Sequence, residues 1–185
     1  MTEVETSNDA PPGTGREAAR AALLQRLEDL TADEGHFEAL GARHWALFED
    51  AGNTLIVTFD QLDTIVASEA GMPWGHAFAQ DRGWSHLCLI AEGETHFRDT
   101  AIYRHFDRLV DDAFFEDFDR VLFYGHGHGA HAACAYAVTA PGAQVLALNP
   151  RASLAGRDVA WDRRNLAARR LDFTSRYGYA PAMLE

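Results

Sequence analysis

The sequence predicts an α/β fold: a parallel sheet flanked by helices. Two observations carry this. Four short runs, Thr54-Leu-Ile-Val-Thr-Phe59, His86-Leu-Cys-Leu-Ile90, Val121-Leu-Phe-Tyr124 and Gln144-Val-Leu-Ala-Leu148, are nearly continuously apolar. Strands buried on both faces look like this, as in a parallel sheet covered by helices. Helical patterns then separate some of the runs, Ala101–Val110 before the third and Gly129–Thr139 before the fourth. Strand, helix, strand in repetition implies right-handed crossovers.

Ahead of these elements, residues 1–13 are polar and acidic with two prolines, and read as a disordered acidic tail. Residues 14–185 read as one domain, long enough to bury a core. Thr14 and Glu17 fit a capping box, and Leu23, Leu27 and Leu30 follow on one helical face. Phe114, Phe115 and Phe118 read as a helix or turn packed on the core. The acidic run Asp107, Asp111, Asp112, Glu116, Asp117 and Asp119 reads as a solvated face. After Pro150 the text turns polar and arginine-rich, as an exposed loop and helix would.

Composition narrows the chemistry. The formal charge is −12, which disfavours nucleic acid or an anionic membrane as partner. All 16 basic residues are arginine, so Schiff-base lysines and Walker-type phosphate loops are excluded. Cys88 and Cys134 lie in apolar runs without CxxC spacing and read as buried free thiols. The first residues have neither a basic nor an apolar signal region, and no apolar run reaches the roughly 18 residues of a membrane span. A cytoplasmic location is the resulting expectation.

The stretch Tyr124-Gly-His-Gly-His-Gly-Ala-His131 sits at the carboxyl end of the third run, where an α/β sheet places its chemistry. Its layout resembles the nucleophile elbow of the α/β-hydrolase family, G-x-S-x-G between strand and helix. Gly125 and Gly129 match the outer glycines. They leave room for the sharp reversal, and Ala130, Ala133 and Ala137 let the following helix lie close to the sheet. The resemblance covers roughly residues 53–155 and implies an oxyanion loop after the first run, at Asp60 and Gln61. The departure is at the apex. Gly127 stands where the family carries serine, so no side chain is there to attack a carbonyl. The family's acid and histidine follow later strands. None is recognisable here, and a fold incomplete at its C-terminus is the expectation.

Further phrases, "FDRVLFYG", "PGAQVLALNPRASL" and "LDFTSRYGYAP", are similar to a bacterial, often alphaproteobacterial, group with this layout that is frequently named phosphoadenosine phosphosulfate reductase. The residues do not support that chemistry. It needs an S-G-G-x-D-S phosphate loop and a C-terminal cysteine motif, and neither is present.

Three function classes remain open. The first is a hydrolase-like binding or accessory module without serine chemistry. The second is an enzyme in which His126 or His128 acts as general base or metal ligand. His126, His128 and His131 fit H-x-H-x-x-H, which resembles the zinc motif of the metallo-β-lactamase family with Ala130 in its aspartate slot. No cofactor is expected on the first reading; zinc or another divalent metal is expected on the second. The third is an oligomerising partner-binding domain, with a homo-oligomer as one form. Glu92, Glu94, His96, Arg98 and Asp99 read as a solvated loop near the same sheet edge. Trp74, Trp84 and Trp161 read as core or as a cavity wall.

Overall fold

The computed structural model describes residues 14–32, 35–151, 153, 159–161, 163, 166–171, 173 and 177. The expected disordered tail, residues 1–13, lies outside the described residues. Among the described residues there are six strands: β1 (Gly35–Ala39), β2 (His44–Glu49), β3 (Thr54–Gln61), β4 (Ser85–Ala91), β5 (Arg120–His126) and β6 (Gln144–Leu148). They form one sheet in the order β1-β2-β4-β3-β5-β6. The four apolar runs are β3 to β6, and these pair in parallel. The wholly parallel sheet expected from them needs correction. β1 and β2 form an antiparallel hairpin, and β2 joins β4 antiparallel. The sheet is therefore mixed.

Helices α1 (Thr14–Leu30), α2 (Leu62–Ala67) and α3 (Trp74–Gln80) cover one face of the sheet, and α4 (Thr100–Asp111) and α5 (His128–Tyr136) cover the other. Alternation along each strand divides the core between them. Leu55, Val57 and Phe59 of β3 and Leu87 and Leu89 of β4 pack against Ile102 and Phe106 of α4 and Ala132, Ala133 and Tyr136 of α5. On the opposite face Trp45, Leu47, Cys88 and Ile90 meet Leu23 and Leu27 of α1 and Leu62 and Ile65 of α2. Leu30 is the exception in the expected α1 face, since it is 38% exposed at the helix end.

Continuous apolar text means burial only in the middle of the sheet. Every residue of β4 is buried. β6 is an edge strand, and its Val145, Leu146 and Leu148 are 42%, 49% and 42% exposed. The phenylalanine cluster packs as expected: Phe114 and Phe118 meet Phe48 edge-on, with ring centroids 5.2 and 6.4 Å apart, and Phe115 is buried. Asp111, Asp112, Glu116, Asp117 and Asp119 are exposed, as a solvated face requires, whereas Asp107 is half-buried and accepts from the Tyr177 hydroxyl at 2.7 Å. Both cysteines are free thiols, Cys88 buried and Cys134 half-buried. Among the described residues no helix is long and apolar enough to cross a membrane.

Candidate functional site

The chain reverses from β5 into α5 within one residue. Gly127 makes the turn at φ 56° and ψ −111°, a conformation favouring glycine. Its amide donates to the Leu148 carbonyl at 3.0 Å, tying the turn to the end of β6. The flanking glycines are needed for space. A Cβ on Gly125 would overlap the Gly129 carbonyl, and one on Gly129 would lie 2.5 Å from the Phe59 carbonyl oxygen. Around Gly127 itself a Cβ would meet nothing within 4 Å. The turn thus has the strand–turn–helix form of an elbow, with an empty apex opening onto free space.

That space is a cleft of about 520 Å³. Its lining includes Thr58, Asp60, Gln61, Thr64, Trp74, Tyr124, His126 and His128. Trp74 and Tyr124 stack with ring centroids 4.0 Å apart. Trp74 is therefore a cleft wall. Trp84 packs edge-on to Phe78 and lines a separate cavity beside Glu49 and His86, and Trp161 is exposed.

The predicted oxyanion-loop residues do border the elbow. Asp60 Oδ2 accepts from the Trp74 amide at 3.1 Å and from Cys88 Sγ at 3.5 Å. Burial raises the Asp60 pKa, with the hydrogen bonds from Cys88 and Trp74 opposing it. Gln61 Nε2 is buried without a hydrogen-bond partner.

The three elbow histidines point different ways. His126 is exposed at the cleft. His128 is half-buried, with its ring 4.0 Å from that of His96. His131 is buried on α5, and its Nδ1 donates to the Arg151 carbonyl at 2.7 Å. Burial holds the His131 pKa down to about 4 and that of His96 to about 3, so both rings are neutral. Among the described residues no three His, Cys, Asp or Glu side chains converge so as to hold a metal ion.

The segment after β4 differs from the solvated loop expected of it. Glu94 and Asp99 are exposed, but Thr95, His96, Phe97 and Arg98 are all buried. His96 and Phe97 adopt φ of 51° and 57°. The strain is held by specific bonds: Thr95 Oγ1 links the His44 ring (2.8 Å) to the Phe97 amide (3.2 Å), and the Tyr136 hydroxyl donates to the Phe97 carbonyl (2.6 Å). Phe173, from the segment expected to be exposed, is buried against His96 and His131.

A second polar group went unread in the sequence. Glu49 of β2, His86 of β4 and Thr58 of β3 lie side by side on the α3 face. Glu49 Oε1 accepts from His76 Nδ1 at 2.7 Å, and Oε2 accepts from His86 Nδ1 at 3.0 Å. Thr58 Oγ1 lies 2.8 Å from His86 Nε2. Burial would raise the Glu49 pKa, but hydrogen bonds from His76 and His86, with the electrostatic attraction of the same two rings, outweigh it and bring it down to about 2. The signal was Thr58 within one apolar run and His86 at the head of another.

No protein-family model and no curated protein matches the chain. Solved structures are similar to it, and three of them follow. One is an esterase from Pyrobaculum calidifontis, at 16% identity and a TM-score of 0.37, over 75% of this chain and 50% of that one. Another is a protein from Silicibacter sp. TM1040 provisionally assigned as a thioesterase, at 17% identity and a TM-score of 0.44, over 97% and 81%. The third is brefeldin A esterase, a bacterial homologue of human hormone-sensitive lipase, at 12% identity and a TM-score of 0.33, over 70% and 46%. The chain spans about half the length of the first and third. What the structure itself defines is an α/β protein with a mixed six-stranded sheet and a cleft above a strand–turn–helix reversal.

Proposed function

We propose that the chain is an α/β-hydrolase-like binding module that holds a small ligand in the cleft above Gly127 and carries out no serine-type hydrolysis. The observation behind this is the apex of the turn. Gly127 has the backbone geometry and open space of a nucleophile position, and it has no side chain. The cleft volume of about 520 Å³ suits a small molecule. Its stacked aromatic wall offers apolar contact, and Asp60, Gln61 and Thr64 add polar residues to the lining.

Two measurements test the reading. Trp74 is half exposed at the cleft wall, so its fluorescence reports occupancy. Titration with small carboxylates, amides and ketones is expected to give saturable changes that Trp74→Phe removes. Assay with p-nitrophenyl butyrate is expected to give no steady turnover above that of the unfolded chain. Sustained turnover would overturn the reading.

A further inference from the structure

Asp60 is a partly exposed carboxyl near the end of β3 that lines the cleft, and the fold uses only one of its oxygens. Oδ2 accepts from the Trp74 amide at 3.1 Å and from Cys88 Sγ at 3.5 Å. Oδ1 makes no hydrogen bond among the described residues and is open to solvent. No ion pair among the described residues includes Asp60. The bond to the Trp74 amide holds the carboxyl beside the aromatic wall of the cleft.

A structural role accounts for Oδ2 alone. Holding the first amide of α3 needs one acceptor oxygen, and asparagine would supply it without a charge to desolvate. Burial raises the Asp60 pKa, and the bonds from Cys88 and Trp74 offset this only in part, so the charged form is held at a cost. A ligand of opposite sign would relieve that cost. The rest of the cleft agrees in sign. Asp60 is the one acid among the described lining residues, and no arginine is among them. Burial holds the His128 pKa below its ordinary value, so that ring is neutral at pH 7. The stacked Trp74 and Tyr124 rings add apolar surface, and Trp74 is 50% exposed there. Electron-rich rings also favour a cation close by.

We infer that the cleft selects a small organic ammonium ion, which donates to Asp60 Oδ1 and lays an apolar body along Trp74 and Tyr124. The inference rests on the binding reading above and names the chemistry of its ligand. An ammonium head carries up to three N–H donors and meets a single free carboxylate oxygen without needing a paired fork. The contact is charge-assisted, which makes it about twice as strong as one between neutral groups. A carboxylate ligand meets the opposite situation. It approaches an acid of its own sign, and no arginine in the lining offsets the repulsion. A neutral ligand of the same shape keeps the aromatic contact and loses only the charged bond. The order of affinity is therefore cation, neutral, anion, and Asp60 sets it.

The test is titration of the full chain at pH 7 with three probes of one shape: 2-phenylethylamine, 2-phenylethanol and phenylacetate. Tryptophan fluorescence reads the binding. The amine is cationic at that pH and is expected to bind at least about tenfold more tightly than the alcohol, the worth of one hydrogen bond to a charged group. Phenylacetate is expected to bind most weakly of the three. Asp60→Asn keeps an acceptor for the Trp74 amide and is expected to remove the preference for the amine. Should that variant fail to fold, Asp60→Ser takes its place with the same loss expected. An amine that binds no more tightly than the alcohol would overturn the inference, as would a preference that survives in the folded Asp60 variant. In both cases ligands still enter the cleft and the binding reading stands. If none of the three probes binds, the inference and the binding reading fall together.

Discussion

Gly127 and Gly129 are two residues apart and hold their places for opposite reasons. Gly127 has room for a side chain but a φ of 56° that favours glycine. Gly129 lies within α5, where the Phe59 carbonyl is too close for a Cβ. Gly127→Ser is therefore expected to fold and to cost about 1 kcal/mol in backbone strain. Gly129→Ala is expected to cost about 3 kcal/mol, because a backbone carbonyl on β3 must move. Urea unfolding of both variants checks the order, and equal losses would show that the turn is not packed as described. Gly127→Ser should also stay without ester turnover, since a hydroxyl alone does not act without a base and an orienting carboxylate. The buried histidines set a pH dependence at the same scale. His96 and His131 have folded values of about 3 and 4 against an ordinary 6.5, chiefly through burial. The unfolded chain binds protons first, so their contribution is complete above about pH 6.5 and is lost as pH falls towards 4 and 3. The melting temperature is expected to drop steadily between pH 6.5 and 4, and less steeply in His131→Asn. A flat profile over that range would contradict their burial as neutral rings.

Among the elements, what the sequence revealed depended on distance along the chain. β3, β4, β5 and β6 were legible because each is a local apolar run, and the glycine–histidine turn because its five positions are contiguous. β1 and β2 were not. Gly35-His-Phe-Glu-Ala39 mixes exposed and half-buried positions at the sheet edge, and His44-Trp-Ala-Leu-Phe-Glu49 ends on the carboxylate that joins the buried array. That array itself was beyond reach, since Glu49, Thr58 and His86 meet only through the β2-β4-β3 order. The segment after β4 misled for a related reason. Its charges suggested solvent, while its burial comes from α5 and Phe173, which lie far along the chain. Helix α1 gives a measurable instance of the same limit. Periodicity put Leu27 and Leu30 on one face, yet Leu27 is 0% and Leu30 38% exposed. Leu27→Ala is expected to cost about 2–5 kcal/mol, as large-to-small core changes do. Leu30→Ala is expected to cost under about 1 kcal/mol, as exposed positions do. Similar losses in denaturant melts would mean that α1 is docked differently.

For the whole molecule the open question is what becomes of the β6 edge. Among the described residues nothing pairs with its outer side, and Val145, Leu146 and Leu148 remain 42–49% exposed. Proteins usually blunt such an edge with charge, proline or a bulge. Gln144-Val-Leu-Ala-Leu148 has no charge and no proline. Strand addition by a second copy would satisfy its free backbone groups and set apolar side chains beside its own on both faces. The formal charge of −12 works against this, because two copies repel. Salt weakens that repulsion and leaves the apolar gain, so association should strengthen as ionic strength rises. Sedimentation velocity is expected to show a coefficient that increases with protein concentration, and increases further at about 0.5 M salt, where the Debye length is only a few ångströms. Leu146→Lys puts a charge on the strand without touching the cleft lining, and is expected to hold the protein monomeric at the same concentrations. If the unaltered chain sediments as a monomer at every concentration and salt level, the edge is protected by some other part of the molecule and self-association through β6 is wrong.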